Sequence, residues 1–119
     1  ENVMQMDVFK EGRAIRNSPP FGKEGINVNF VEQMDAVDQI IVRTYERGVE
    51  DETFSCGTGV TAAALVSYHN ENGFNRVEVK TKGGNLSVDF DKIDDSFKNI
   101  WLTGPALLVF KGEIELTSL

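Results

Sequence analysis

The feature that most constrains this chain is the run Val60-Thr61-Ala62-Ala63-Ala64-Leu65-Val66-Ser67-Tyr68, which contains no charged side chain. Its alanine density favours a helix, and Asn72-Gly73 supplies a stop beyond it. A helix that is apolar on every side is not stable with one face in water, so something must enclose it. The rest of the sequence offers a wrapper written in strand alternation. Val77 and Val79 alternate with Arg76, Glu78 and Lys80, Lys82-Gly83-Gly84-Asn85 turns the chain, and Leu86, Val88 and Phe90 alternate with Ser87 and Asp89. That is the pattern of a hairpin with one buried face. Residues 26–34 and 39–45 read as two further strands joined by a turn at 35–38. Residues 7–17 read as a short helix, N-capped by Asp7 and stopped by Asn17-Ser18-Pro19-Pro20. After a polar loop over 91–99, residues 100–103, 107–110 and 113–116 read as three more short strands, broken by Gly104-Pro105 and Lys111-Gly112. The expected fold is α+β, a curled and mostly antiparallel sheet of about seven strands wrapped around one buried central helix. The alternative is an α+β sandwich with the helix on one face.

No linker, repeat or low-complexity tract divides the 119 residues, so residues 1–119 read as a single domain. Nineteen acidic against twelve basic residues give a net charge of −7, which opposes a nucleic-acid or anionic-membrane surface. The longest apolar run, residues 105–110, is far short of the roughly 20 residues needed to span a bilayer. The first nine residues lack the basic start and apolar stretch of a signal peptide. One cysteine leaves no internal disulfide, and one cysteine with one histidine does not make a structural zinc site. A soluble, cytoplasmic protein is expected.

Chemistry concentrates at Cys56-Gly57-Thr58-Gly59, where a loop enters the apolar helix. The unpaired amides of a helix N-terminus, with the helix dipole behind them, can hold a carboxylate or phosphate. Two glycines let a ligand approach the backbone closely, and the same field favours the thiolate form of a cysteine placed there. The bland alternative is a buried structural cysteine beside a glycine turn. Upstream, Tyr45-Glu46-Arg47-Gly48 ends a strand with an acid and a base. The carboxylate can take an ammonium group and the guanidinium can clamp a second carboxylate, unless the two are a solvated strand-end pair. Asn27 offers an uncharged donor and acceptor within an apolar strand, or else is an edge amide. His69 reads as a helix-terminal residue, Trp101 and the phenylalanines as core, and Glu50-Asp51-Glu52 as a solvated loop.

Four blocks then fall in a telling order. Gly25-Ile26-Asn27-Val28-Asn29-Phe30, Tyr45-Glu46-Arg47-Gly48, Glu52-Thr53-Phe54-Ser55-Cys56-Gly57-Thr58-Gly59 and Leu102-Thr103-Gly104-Pro105-Ala106 together resemble the diaminopimelate epimerase family. Gly12-Arg13-Ala14-Ile15-Arg16-Asn17-Ser18-Pro19 and Val109-Phe110-Lys111-Gly112 fit as well, so the resemblance covers essentially the whole chain. It implies one half of a two-domain enzyme, each domain a sheet around a helix, with this chain as the second (C-terminal) domain and the N-terminal domain absent from it. It implies an isomerase that needs no cofactor and interconverts LL- and meso-diaminopimelate in lysine and peptidoglycan biosynthesis. Cys56 would be one of two catalytic cysteines, the other belonging to the N-terminal domain. Glu46 would hold the reacting ammonium group, the amides of Gly57 and Thr58 its carboxylate, and Arg47 and Asn27 the distal end of the amino-acid substrate.

The sequence departs from the family pattern in two places. An Asn-Pro-His-like element expected near the start of the second domain is missing, and the segment from Gly48 to Cys56 is one residue longer than the commonest version. Inverting an amino-acid centre without a cofactor takes a thiolate on one face and a thiol on the other. With Cys56 alone, one face is unserved, and the chain by itself is expected to be inactive. Two other readings stay open: a related racemase or isomerase of the same superfamily, such as one acting on proline, and a non-catalytic carboxylate-binding domain. The surface toward the absent domain should be exposed and apolar, which leaves self-association as a homodimer open.

Overall fold

A computed structural model describes residues 2–67 and 71–118. A single 3-10 turn, Val3–Gln5, precedes helix α1 (Val8–Arg16), strands β1 (Val28–Gln33), β2 (Gln39–Glu46) and β3 (Asp51–Thr53), helix α2 (Gly57–Ser67), and strands β4 (Gly73–Thr81), β5 (Gly84–Ile93) and β6 (Ser96–Thr103). The strands form one sheet in the order β1-β2-β4-β5-β6, with β3 also paired to β2. Among the described residues only the β2–β4 pairing is parallel; it joins Gln39, Ile40 and Ile41 to Glu78, Val79 and Lys80, and α2 lies in the crossover between these two strands. The architecture is the expected one, α+β with a curled sheet, though the sheet is unclosed.

Strand β2 is the spine. Its continuous apolar run is buried on both faces, as alternation requires when both faces are covered. Ile40 and Val42 pack with Val60, Ala63 and Ala64 of α2 against Val77, Val79, Val88 and Phe90, while Tyr45 packs on the other face with Val8 of α1 and Val28. Helix α1 begins where the sequence predicts, with the Asp7 side chain accepting from the Lys10 amide at 3.1 Å. It sits so close to β2 that a Cβ on Gly12 would run into Cβ and Cγ of Tyr45. Arg43, on the same side of β2, is a cation inside the protein. Its guanidinium grips Glu52 with two bonds, 2.6 and 2.7 Å, and donates through Nη1 to the carbonyls of Val3 and Met6 at 2.7 and 2.8 Å. The pair pins the N-terminal turn to the sheet.

Several expectations need correction. The helix α2 is covered on its sheet side, but Ala62 is exposed and Val66 is 80% exposed on the other. The two last strands expected to close over it, at 107–110 and 113–116, are not strands. Residues 104–118 pair with no part of the sheet, and Leu107, Leu108, Val109 and Phe110 stand in solvent. Apolar alternation makes a strand only when a ladder partner exists. Conversely, the polar stretch over 91–99 is strand. β5 runs on to Ile93, turns at Asp94-Asp95 and returns as β6, its Phe97 packed edge-on against Phe90 at 5.6 Å. Six strands result among the described residues instead of about seven. Trp101 is not core but 68% exposed on β6, and Phe54, Phe74 and Phe110 are exposed too. His69 lies outside the described residues.

Candidate functional site

Cys56 immediately precedes α2. Its carbonyl accepts the Val60 N–H at 2.8 Å, the first bond of the helix, so the amides of Gly57, Thr58 and Gly59 lie ahead of the helical ladder at its positive end. The Thr61 hydroxyl donates to the Gly57 carbonyl at 2.8 Å and tightens that first turn. The half-buried Cys56 sulfur lies 3.4 Å from the Thr58 hydroxyl and 4.0 Å from the Asn27 side-chain nitrogen. Asn27 precedes β1, whose first residue, Val28, pairs with Tyr45. That register carries Asn27 alongside the end of β2, and its Oδ1 accepts the Arg47 N–H at 2.8 Å. One amide side chain thus spans from the cysteine sulfur to the turn that carries Arg47.

The Arg47 guanidinium uses Nη1 to donate to the carbonyls of Glu24 and Gly25, 3.1 and 3.5 Å. Its other N–H groups remain for a fork onto a carboxylate. Glu46 ends β2 opposite Asp51, and its carboxylate forms no hydrogen bond or ion pair among the described residues. The structure therefore brings Asn27, Arg47, Cys56 and Thr58 into contact and sets Gly57 at the helix start. Glu46 is adjacent through the strand end, without a contact to Cys56. Beside them, Gly57, Thr58, Thr61, Ala62, Leu65 and Leu102 line an open, largely apolar hollow.

The two glycines of the motif also have a packing duty that the sequence does not announce. A Cβ on Gly57 would stand 3.1 Å from Leu102 Cδ2, and one on Gly59 would press into the Asn29 amide, 2.9 Å from both Cγ and Nδ2. Asn29 is itself held: its Oδ1 accepts from the Thr44 hydroxyl at 2.7 Å. The start of α2 thus lies flush on β1 and beside β6, which fixes where the cysteine sits.

The acidic run 50–52 is not the solvated loop expected. Glu50 Oε1 accepts from Arg16 Nε at 2.9 Å and from the Tyr45 hydroxyl at 3.3 Å, while Oε2 accepts the Gly48 N–H at 2.9 Å. The Gly48 amide, followed by Arg16, holds this carboxyl below the usual carboxylate range. Glu52 belongs to β3 and to Arg43, with Lys82 Nζ also at 3.2 Å. Arg43 holds its carboxyl low, and Glu52 in turn raises the guanidinium above its ordinary value. A legible signal existed for that pair. An arginine in the middle of an otherwise apolar strand demands a buried acid, and the acidic run 50–52 lies just beyond that strand's end.

A sequence model described as diaminopimelate epimerase matches residues 1–109. A protein of Flavobacterium psychrophilum named diaminopimelate epimerase is 44% identical over 115 residues, covering 96% of this chain and 44% of that protein. Proteins of the same name from Chlorobaculum tepidum and Aquifex aeolicus are 45% and 46% identical, covering 97% and 96% of this chain and 44% and 40% of their own lengths. The chain spans less than half the length of these curated relatives. With Cys56, Asn27 and Arg47 gathered at the start of an apolar helix, and with this degree of likeness over nearly every residue, the chain belongs to the diaminopimelate epimerase family.

Proposed function

We propose that this chain supplies the Cys56 half of a cofactor-independent epimerase that interconverts LL- and meso-diaminopimelate, in the cytoplasm and on the route to lysine. The observation that carries the reading is the placement of the Cys56 sulfur at the N-terminus of α2, 4.0 Å from Asn27, whose other end is tied to Arg47. The amides of Gly57 and Thr58 take the carboxylate at the reacting carbon, where the helix dipole and unpaired N–H groups stabilise the charge that builds as the α-proton leaves. Glu46 takes the α-ammonium group. Asn27 and Arg47 read the distal end, the arginine through its remaining N–H donors.

The reaction is a proton exchange across one carbon. In one direction the Cys56 thiolate removes the α-proton while a thiol from a partner domain gives a proton to the opposite face. The Cα–H bond broken is replaced by one of inverted configuration, and the two sulfurs have exchanged protonation states. No described residue other than Cys56 is a cysteine, so a second domain must supply that thiol, and the open side of α2 is where substrate and that domain would close out water.

The test compares the chain alone with the same chain joined to the part of the Flavobacterium psychrophilum relative that it does not match. Epimerisation of diaminopimelate and incorporation of solvent deuterium at its α-carbon are followed. We expect neither with the chain alone, both with the joined protein, and loss of both on Cys56→Ala. Inversion at enzyme-like rates by the chain alone overturns the two-thiol reading. A joined protein that racemises proline but leaves diaminopimelate untouched identifies a related racemase, and one that binds diaminopimelate identically with and without Cys56 while turning over nothing identifies a binding domain.

A further inference from the structure

Glu50 lies away from the cysteine, yet it is tied to everything that presents Arg47. The loop between β2 and β3 is four residues, Arg47-Gly48-Val49-Glu50, with Gly48 at φ +93° and Glu50 at φ +57°. A glutamate in the left-handed region is strained, so its side chain has a reason to be there. One oxygen of its carboxylate takes the Gly48 amide and the other takes Arg16, on the last turn of α1. Arg16 in turn lies against Gly25, where a Cβ would strike its guanidinium, and it donates to the Gly22 carbonyl at 3.4 Å. Gly25 belongs to the turn whose carbonyls hold the Arg47 side chain and which leads into Asn27. The Arg16–Glu50 pair, with 16% and 43% of the side chains exposed, therefore clamps together the two loops from which Asn27 and Arg47 project.

We infer that Glu50 is a positioning residue for substrate recognition: through Gly48 on one side and Arg16 on the other, it sets the distance and angle between Asn27 and Arg47. This rests on the reading of Arg47 and Asn27 as the distal-end contacts. It gives α1, which carries none of the proposed substrate contacts, a part in the site. Because recognition of the distal end is made in ground state and transition state alike, loss of the clamp should weaken substrate binding more than turnover.

Two variants separate the carboxylate from the backbone. Glu50→Gly removes the side chain but accepts φ +57° without strain; Glu50→Gln keeps the length and an acceptor oxygen for Gly48. In the joined enzyme described above, we expect Glu50→Gly to raise KM for diaminopimelate at least fivefold with kcat within twofold, and Glu50→Gln to restore most of that loss. In the chain alone, amide exchange of Gly48 and Arg47 should accelerate at least tenfold in Glu50→Gly and less in Glu50→Gln. A merely structural role predicts instead less folded protein at unchanged KM. An active enzyme whose KM is unmoved by Glu50→Gly, or unchanged exchange at Gly48, overturns the role of Glu50 alone. A joined protein inactive even with Glu50 intact overturns the functional reading, and the recognition role with it.

Discussion

Replacing Gly59 with alanine tests whether the start of α2 is seated by Asn29. On helix propensity alone the change should stabilise by at most about 1 kcal/mol. In this protein the new methyl presses into the Asn29 amide, 2.9 Å from its Cγ and Nδ2, so the amide must swing out. Doing so breaks its 2.7 Å bond with Thr44, whose residue is only 2% exposed. Leaving a buried hydroxyl without a partner costs about 1–3 kcal/mol. The expected net is a loss of about 1–2 kcal/mol, visible in urea unfolding as a midpoint lower by roughly 0.5–1 M at an m-value near 2 kcal/mol/M. Asn29→Ala deletes the same bond and should cost a similar amount. Once Asn29 is alanine, however, the space is free, and Gly59→Ala added to it should be neutral or mildly stabilising. The two changes should therefore couple by about 2 kcal/mol. Additivity within about 0.5 kcal/mol, the behaviour of independent sites, would refute the proposed seating.

Three other outcomes are expected. Glu52→Ala leaves the Arg43 guanidinium, 6% exposed as a side chain, without its acid, and should cost about 3 kcal/mol in chemical unfolding; a cost below about 1 kcal/mol would show the ion pair to be dispensable. Glu50, Glu52 and Asp89 are each held below the usual carboxylate range, by the Gly48 amide and Arg16, by Arg43, and by Arg76 respectively. Below about pH 4–5 the unfolded chain takes up protons before the folded one does. Stability should thus be full above that window and fall as the pH drops through the lowered values, with a shallower fall in Glu52→Gln; an identical slope in that variant contradicts the assignment. Finally, Trp101, the single tryptophan, is 68% exposed, so its fluorescence should be readily quenched by iodide and Trp101→Ala should change stability by less than about 0.5 kcal/mol.

How far the sequence could be read depended on whether an element carries its own instructions. The Asp7 cap, the turn at Lys82-Gly83 and the alternation of Val77 and Val79 with charged neighbours are local, and α1, β4 and β5 stand where those signals put them. Strand β3 and the outer part of β6 carry no such pattern. Asp51-Glu52-Thr53 is strand because β2 offers a ladder at Thr44-Tyr45-Glu46 and Arg43 needs Glu52. Lys98 and Asn99 are strand because Asp91 and its neighbours extend alongside. The tail over 104–118 errs the other way, apolar and yet unpaired. At the site, Cys56, Gly57, Thr58, Asn27, Glu46 and Arg47 were legible as a motif, whereas Asn29, Thr44 and Glu50 emerge only from what lies across from them.

The sheet's parallel junction is three residue pairs long. On one side of it, β1, β2 and β3 are joined by short connections, and on the other β4, β5 and β6 are likewise. Each trio can assemble from near neighbours quickly, whereas uniting them means ordering the whole intervening segment first, a step that topology makes slow. Every residue assigned to ligand chemistry precedes β4 in the chain. The later trio therefore serves as ballast: until it docks, the charge-free rod bearing the sulfur has only half a bed to lie on.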